Sequence, residues 1–325
     1  MKHPPYHLRP NKAVDRFLLI ETLERMRGYF DFRQSSYIGL GGPFLEDFRL
    51  LSQHFPEIAL VSIEKNEQTH RRQKFHLPSK KVKLLNEDFA TFLSQYSGTG
   101  ADIFWLDYTD LNYSCFDEFM RLLPLIGEQG VVKITMRAEP AANPKKLEDL
   151  LGADEAAKKL KAYFDEFRSQ FSEVLPGDFS EADFRDMKFV ELLQKMARIA
   201  AQRALPAATE KTFQIVNSTF YADQTQMISL TGVVCPVAEL NQVRRMFRRW
   251  KHANLDWSEP ERIDVPVLSM KERLLLDSHL PSKGVKRLAQ RLGYNIDNGR
   301  EKSLRQLEQY GDFYRYYPQF AKIFV

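Results

Sequence analysis

The sequence predicts an α/β protein built on a mostly parallel sheet with an antiparallel hairpin strand. It also predicts a helical insertion and a small helical C-terminal domain with the cadence of a helix-turn-helix or winged module. Three observations carry this reading. Short apolar runs alternate with helical segments from Ser36 to Met136. The alternation stops over residues 141–210, which are rich in strong helix formers. Strand character then resumes over 211–234 as two β-rich runs around Tyr221-Ala222-Asp223.

The elements follow in order. SYIGLG (36–41) is a short strand ending in glycines, and 43–55 place Phe44, Phe48, Leu51 and Phe55 at helical spacing. ALVSIE (59–64) is a second strand, NEQTHRRQKF (66–75) a polar-faced helix, and VKLLN (82–86) a third strand. A helix from Asp88 to about Tyr96, the strand ADIFWLD (101–107) and a helix over 116–126, kinked at Pro124, come next. GVVKITM (130–136) is the fifth strand. Near-continuous apolar strands separated by helices imply a parallel sheet covered on both faces. The expected division is an N-terminal helical cap (1–35), a sheet domain (36–140 and 211–238), a helical insertion (141–210) and a basic helical C-terminal domain (239–325).

Composition narrows the class. The 325 residues are 43% hydrophobic and 28% charged, an ordinary globular balance that argues against disorder. Two cysteines, Cys115 and Cys235, cannot form a disulfide framework, and no His/Cys pattern offers a metal site. The polar, proline-bearing start is unlike a signal peptide, and no apolar run approaches the ~20 residues of a membrane span. A cytoplasmic protein with no membrane partner is expected. The net charge is +4, and the excess is concentrated in the last quarter, where 17 basic face 11 acidic residues from Glu239 onward. That bias suits DNA or RNA contact without requiring it.

The strand ends carry the chemistry, because ligands of open parallel sheets bind outside them. The first strand ends in Gly39-Leu40-Gly41-Gly42-Pro43, where missing side chains allow close backbone approach. The second ends in Glu64, which can accept both hydroxyls of a ribose. Glu87-Asp88 follows the third, and Asp88 suits an adenine amino group, although it is equally a natural helix N-cap. The fourth ends in Asp107-Tyr108-Thr109-Asp110. Each signal is cheap alone. Together, four successive strand ends carry the residues that one nucleoside-like ligand needs.

Residues 36–136 resemble the class I S-adenosylmethionine-dependent methyltransferases, which have a Rossmann-like sheet. Gly39-Leu40-Gly41-Gly42 stands at the family's glycine-rich loop, Ser62-Ile63-Glu64 at its acidic second strand end, and Asn86-Glu87-Asp88-Phe89 at its adenine loop. Leu106-Asp107-Tyr108 stands at the fourth-strand motif, and the hairpin is similar to the last two strands. YHLRPNKAVDR, YIGLGGPFLEDF and WLDYTD more narrowly resemble a group of bacterial O-methyltransferase-like proteins often found near phage-defence genes. The resemblance implies S-adenosyl-L-methionine as cofactor, held by Gly39, Gly41, Gly42, Glu64 and Asp88. Two departures stand out. Tyr37 occupies a position where the family usually has an acid, and Asp107-Tyr108-Thr109-Asp110 is not the Asp-Pro-Pro-Tyr of amino-group methyltransferases.

Methyl transfer from a sulfonium mainly needs alignment and removal of a proton. Asp107 and Asp110 are candidate bases, and Tyr108 a candidate wall or donor; helix capping is the plainer role for Asp110. Arg9 and Lys12 open an amphipathic segment that is either a packing helix or a lid meeting an anionic substrate. Arg244, Arg245, Arg248 and Arg249 read as one basic helical stripe, either a solvated face or a phosphate-backbone site. The favoured function is a methyltransferase, with nucleic acid slightly ahead as substrate. Its rivals are a non-catalytic S-adenosylmethionine sensor with a protein partner in a bacterial, anti-phage assembly, and a nucleic-acid-binding protein acting through residues 239–325.

Overall fold

A computed structural model describes residues 9–98, 101–141, 143–281 and 284–318. The five parallel strands are β1 (Ser36–Leu40), β2 (Ala59–Ile63), β3 (Val82–Leu85), β4 (Ile103–Asp107) and β5 (Gly130–Arg137). Helix α1 (Pro10–Arg25) precedes them. α2 (Glu46–His54), α3 (Glu67–Phe75), α4 (Phe89–Gln95) and α5 (Tyr113–Leu125) each follow one of the first four strands. The insertion forms α6 (Pro144–Leu151), α7 (Ala153–Gln170) and α8 (Asp186–Ala204). The hairpin β6 (Lys211–Ala222) and β7 (Gln226–Pro236) follows, then α9 (Leu240–Phe247), β8 (Glu261–Ile263), α10 (Met270–Asp277), α11 (Val285–Leu292) and α12 (Arg300–Phe313).

Strand order is β3-β2-β1-β4-β5-β7-β6-β8. β1 pairs in parallel with both β2 and β4, and β7 runs antiparallel to β5. The chain steps outward from β1 to β2 and β3, then returns to β4 on β1's other side. Strand order reverses there, so the crevice opens at the C-terminal ends of β1 and β4.

The two faces of the sheet differ. Ile38, Phe104, Leu106, Val132, Ile134, Ile228 and Leu230 join one continuous apolar core with residues of α4, α5, α7 and α8. Strand alternation puts their neighbours on the opposite face. There Gly39, Trp105 and Lys133 lie in register, followed across β7 by Thr231. Trp105 Nε1 donates to Thr135 Oγ1 at 3.0 Å, Thr135 and Ser229 share a 3.0 Å hydroxyl hydrogen bond, and the Lys133 ammonium sits 5.1 Å from the Trp105 ring centroid. All of these residues are buried. The sheet is covered on both faces as expected, but the second face is mixed: Tyr37, Ile103, Val131 and Val233 are fully buried there beside the polar groups.

The chain divides into two compact units. The larger comprises Ile20–Phe220 and Thr225–Glu261, and the smaller Met1–Leu19, Tyr221–Gln224 and Arg262–Val325. The expected boundary at 239 therefore falls inside the larger unit, because α9 is amphipathic and buries Val243 and Phe247. In the smaller unit the hairpin tip caps α1. Asp223 accepts the backbone N–H groups of Asn11 and Lys12 at 3.1 and 3.0 Å, and Asn11 Oδ1 accepts the Val265 N–H at 2.9 Å. Pro10 suits the first helical position, where no N–H is needed.

Three local expectations are corrected. The helix after β1 begins at Glu46 rather than Pro43, because Leu45 sits in the left-handed region (φ 50°) and closes a turn onto Gly42. α5 contains Pro124 but ends one residue later, so the proline terminates the helix instead of kinking it. The four arginines do not share a helical stripe. α9 ends at Phe247, leaving Arg248 and Arg249 beyond it, and Arg244 is half-buried against Asp256.

Candidate functional site

The loop after β1 is built from beneath by side chains. Gln73 of α3, fully buried, donates through Nε2 to the Gly41 carbonyl at 2.5 Å and to the Gly42 carbonyl at 3.4 Å. Ser62 of β2, also fully buried, donates to Gln73 Oε1 at 3.4 Å. A Cβ on Gly41 would lie 2.1 Å from the Ser62 hydroxyl and 2.9 Å from Gln73 Nε2. A Cβ on Gly39 would meet the Tyr37 hydroxyl at 2.8 Å, and that hydroxyl bonds Asp47 of α2 at 2.5 Å. Internal packing by itself thus requires the absence of a side chain at both glycines. Gly42 is half-buried, and a Gln73 bond reaches its carbonyl.

At the next strand end Glu64 is half-buried, and one carboxylate oxygen accepts the Asn66 N–H at 2.7 Å. Burial pushes this carboxyl above the usual carboxylate range, against the pull of the Asn66 bond and the Lys65 charge. Its other oxygen takes no hydrogen bond from the described residues, which fits it to accept hydroxyl donors. Asn86, past β3, donates to the Glu64 carbonyl at 2.7 Å and ties the two strand ends together. Asp88 caps α4, accepting the Thr91 N–H at 2.7 Å, and these bonds hold its carboxyl below the usual range. It is exposed, and the capping role is realised.

β4 delivers Asp107, half-buried, to the other side of the β1 end. Tyr108 donates its hydroxyl to Glu118 of α5 at 2.5 Å. Burial raises the Tyr108 phenol well above its ordinary value. Burial also raises the Glu118 carboxyl, with the charges of Asp117 and Asp88 adding to the effect. Asp110 is exposed and accepts from Thr109 at 3.3 Å. It is not the cap of α5; Asn112 holds that position. A cavity of about 220 Å³ opens beside Asp110, with Arg137 and Glu139 from the end of β5 and Tyr163, Glu166 and Phe171 among its lining.

Arg9 and Lys12 lie in the smaller unit. Arg9 accepts the Ala13 N–H on its carbonyl, and Lys12 is buried, not solvated. Arg244 bonds the Leu255 carbonyl and Gln214 as well as Asp256, so it braces the fold. Arg245, Arg248 and Arg249 are exposed. Sequence reasoning missed Gln73 and Glu118, and it quoted Asn86 only as part of a loop. Gln73 and Glu118 are ordinary polar residues in helical segments, and only their tertiary partners give them a role. Among the described residues no cluster of His, Cys, Asp and Glu could hold a metal ion, and no helix is long and apolar enough to cross a membrane. Cys115 and Cys235 are buried free thiols, each pushed up to about 12 chiefly by burial.

The reversed strand order defines the class: an α/β protein with a mostly parallel, doubly wound sheet and acceptor groups at neighbouring strand ends. Residues 4–325 match a family model described as "Putative O-methyltransferase", and the chain belongs to that family. No curated protein matches the sequence. Among solved structures, the chain is similar to Trm1 from Pyrococcus horikoshii with S-adenosyl-L-methionine, at 10% identity and a TM-score of 0.45, covering 73% of this chain and 58% of that one. It is also similar to M. jannaschii TYW2 in complex with AdoMet, at 11% identity and a TM-score of 0.32, covering 67% and 77%. A third is the plantazolicin methyltransferase BpumL with a triazolic desmethylPZN analog and SAH, at 15% identity and a TM-score of 0.32, covering 67% and 84%. The chain thus spans under two thirds of the Trm1 chain.

Proposed function

We propose that the protein is an S-adenosylmethionine-dependent O-methyltransferase whose acceptor is a small hydroxyl compound. The observation that carries this reading is the row of groups along neighbouring strand ends. The braced Gly41–Gly42 turn, Glu64 and the Asn86–Asp88 edge lie on β1, β2 and β3 in spatial order, with Asp107 on the far side of β1. The free Glu64 oxygen suits a ribose diol, and Asp88 an adenine amino group. S-adenosylmethionine, when bound, supplies a methyl group already activated by a positive sulfur. The chain's own part is then to hold, to align and to take a proton. Asp110, exposed at the cavity edge, is the group placed to accept the acceptor hydroxyl's proton. Tyr108 and Glu118 hold each other and wall the β4 side.

The cavity beside Asp110 supports a small acceptor. Its volume of about 220 Å³ is below the ~300–1,000 Å³ of drug-sized ligand sites, which leaves room only for a small acceptor. Three carboxylates among its lining outnumber one guanidinium, and the Arg137–Glu139 pair (3.1 Å) neutralises one of them. That balance is poor for a polyphosphate backbone. Nucleic acid stays as a second reading on one observation: Arg245, Arg248 and Arg249 are exposed and make no ion pair among the described residues. Incubation with methyl-tritiated S-adenosylmethionine and a panel of phenols, catechols and RNA tests both. Label on a hydroxyl compound that is lost in Asp110→Asn supports the proposal. Label on RNA alone supports the second reading, and no transfer to any acceptor counts against an active enzyme.

A further inference from the structure

We propose that Gln73 is the positioning residue of the donor site, setting affinity for the amino-acid portion of the donor by locking the Gly41–Leu45 turn. This rests on the donor-site reading above. The turn has a built-in cost. Leu45, a fully buried leucine, sits in the left-handed region at φ 50°, ψ 42°, where a side chain of its size is disfavoured. Such a conformation persists only where its surroundings over-determine it. Three groups do so here. The Leu45 N–H donates to the Gly42 carbonyl at 3.3 Å, closing the turn. Gln73 Nε2 engages the Gly41 and Gly42 carbonyls from below. The Ser62 hydroxyl, bonded to Gln73 Oε1, fixes which way the Gln73 amide faces.

The packing leaves no slack. A Cβ at Gly41 would collide with Ser62, Gln73 and the Leu45 side chain together. The two carbonyls are therefore drawn toward Gln73, into the protein. Glu64 and Asp88 stand on β2 and β3, on one side of β1, so the adenosine end lies over those strands. The remainder of the donor extends across the β1 end toward β4, over the turn that Gln73 holds.

Gln73→Leu keeps the volume and removes every hydrogen bond, while Gln73→Glu keeps the shape and sets a carboxylate against two carbonyls. Titration calorimetry with S-adenosylhomocysteine and with adenosine separates the possible outcomes. In both variants S-adenosylhomocysteine should bind about tenfold more weakly, the loss of a buried hydrogen-bonding group, while adenosine affinity stays unchanged. Hydrogen exchange should quicken at the Gly41–Leu45 amides. Ser62→Ala, which only frees the Gln73 amide to turn over, should weaken S-adenosylhomocysteine by a smaller factor and gives a second test should the Gln73 variants not fold. Equal loss for both ligands, or no loss in any variant, overturns the proposal. Failure of the wild-type protein to bind S-adenosylhomocysteine overturns instead the donor-site reading beneath it.

Discussion

A half-buried carboxylate without a salt bridge is a stability cost, and Glu64 bears one at the end of β2. Its folded-state value lies above its unfolded value, so folding favours its protonated form. Stability therefore falls as pH rises from the ordinary carboxylate range through the raised value, and the penalty is full above it. Glu64→Gln is expected to raise the melting temperature at about pH 7 and to leave it unchanged near pH 4. The same variant should bind S-adenosylhomocysteine more weakly, the exchange of stability for function common at binding sites. Melting scans at the two pH values check the sign; a lower melting temperature at neutral pH would count against the burial argument. Glu64 was legible in the sequence because a carboxylate closing an apolar strand is conspicuous. Gln73 was not, since a glutamine in a polar helix gives no hint that tertiary packing buries it. The glycines were noticed, but a packing reason for them was not visible: Tyr37, Ser62 and Gln73 fill the space their missing side chains leave.

The helical insertion earns its place among the elements through aromatic packing. Phe167 of α7 packs against Phe171 with ring centroids 4.4 Å apart and also meets Phe184 and Phe189, and it is almost fully buried. Phe167→Ala should cost about 3–5 kcal/mol, the usual range for emptying a buried phenylalanine site. Urea unfolding checks it, and a loss under about 1 kcal/mol would mean that the insertion is only loosely joined to the core. Because α7 also walls the cavity beside Asp110, the milder Phe171→Leu is the better probe of acceptor binding. The five strands and their helices were readable from the alternation of apolar runs. The polar part of the second face was not. GVVKITM shows one lysine and one threonine in an otherwise apolar run, and only the register that sets Lys133 beside Trp105 reveals a cluster of hydroxyls, an indole and an ammonium. The end of the arginine helix at Phe247 was likewise hidden, because no breaker residue marks it.

Across the whole molecule the chain leaves one unit and returns to it twice, and its short segments are joined by Asp223 and Asn11 within the smaller unit. Asp223→Ala removes the acceptor of two backbone N–H groups at the start of α1 and should destabilise by about 0.5–2 kcal/mol, as losing an N-cap does. A thermal shift too small to resolve would show that α1 is held by its apolar side alone. The split of a unit over distant segments could not be read from composition, which marks linear stretches only. The basic excess of the last quarter was visible, and nearly all of it falls in the smaller unit, while Arg244 in the larger unit braces the fold. The proposed donor site lies at the ends of β1 to β4. Isothermal titration of the intact protein with S-adenosylhomocysteine tests that claim most directly. Saturable one-to-one binding, weakened by about 1–3 kcal/mol in Glu64→Ala and untouched in Arg245→Ala, is the predicted result. No binding, or binding indifferent to Glu64→Ala, would contradict it.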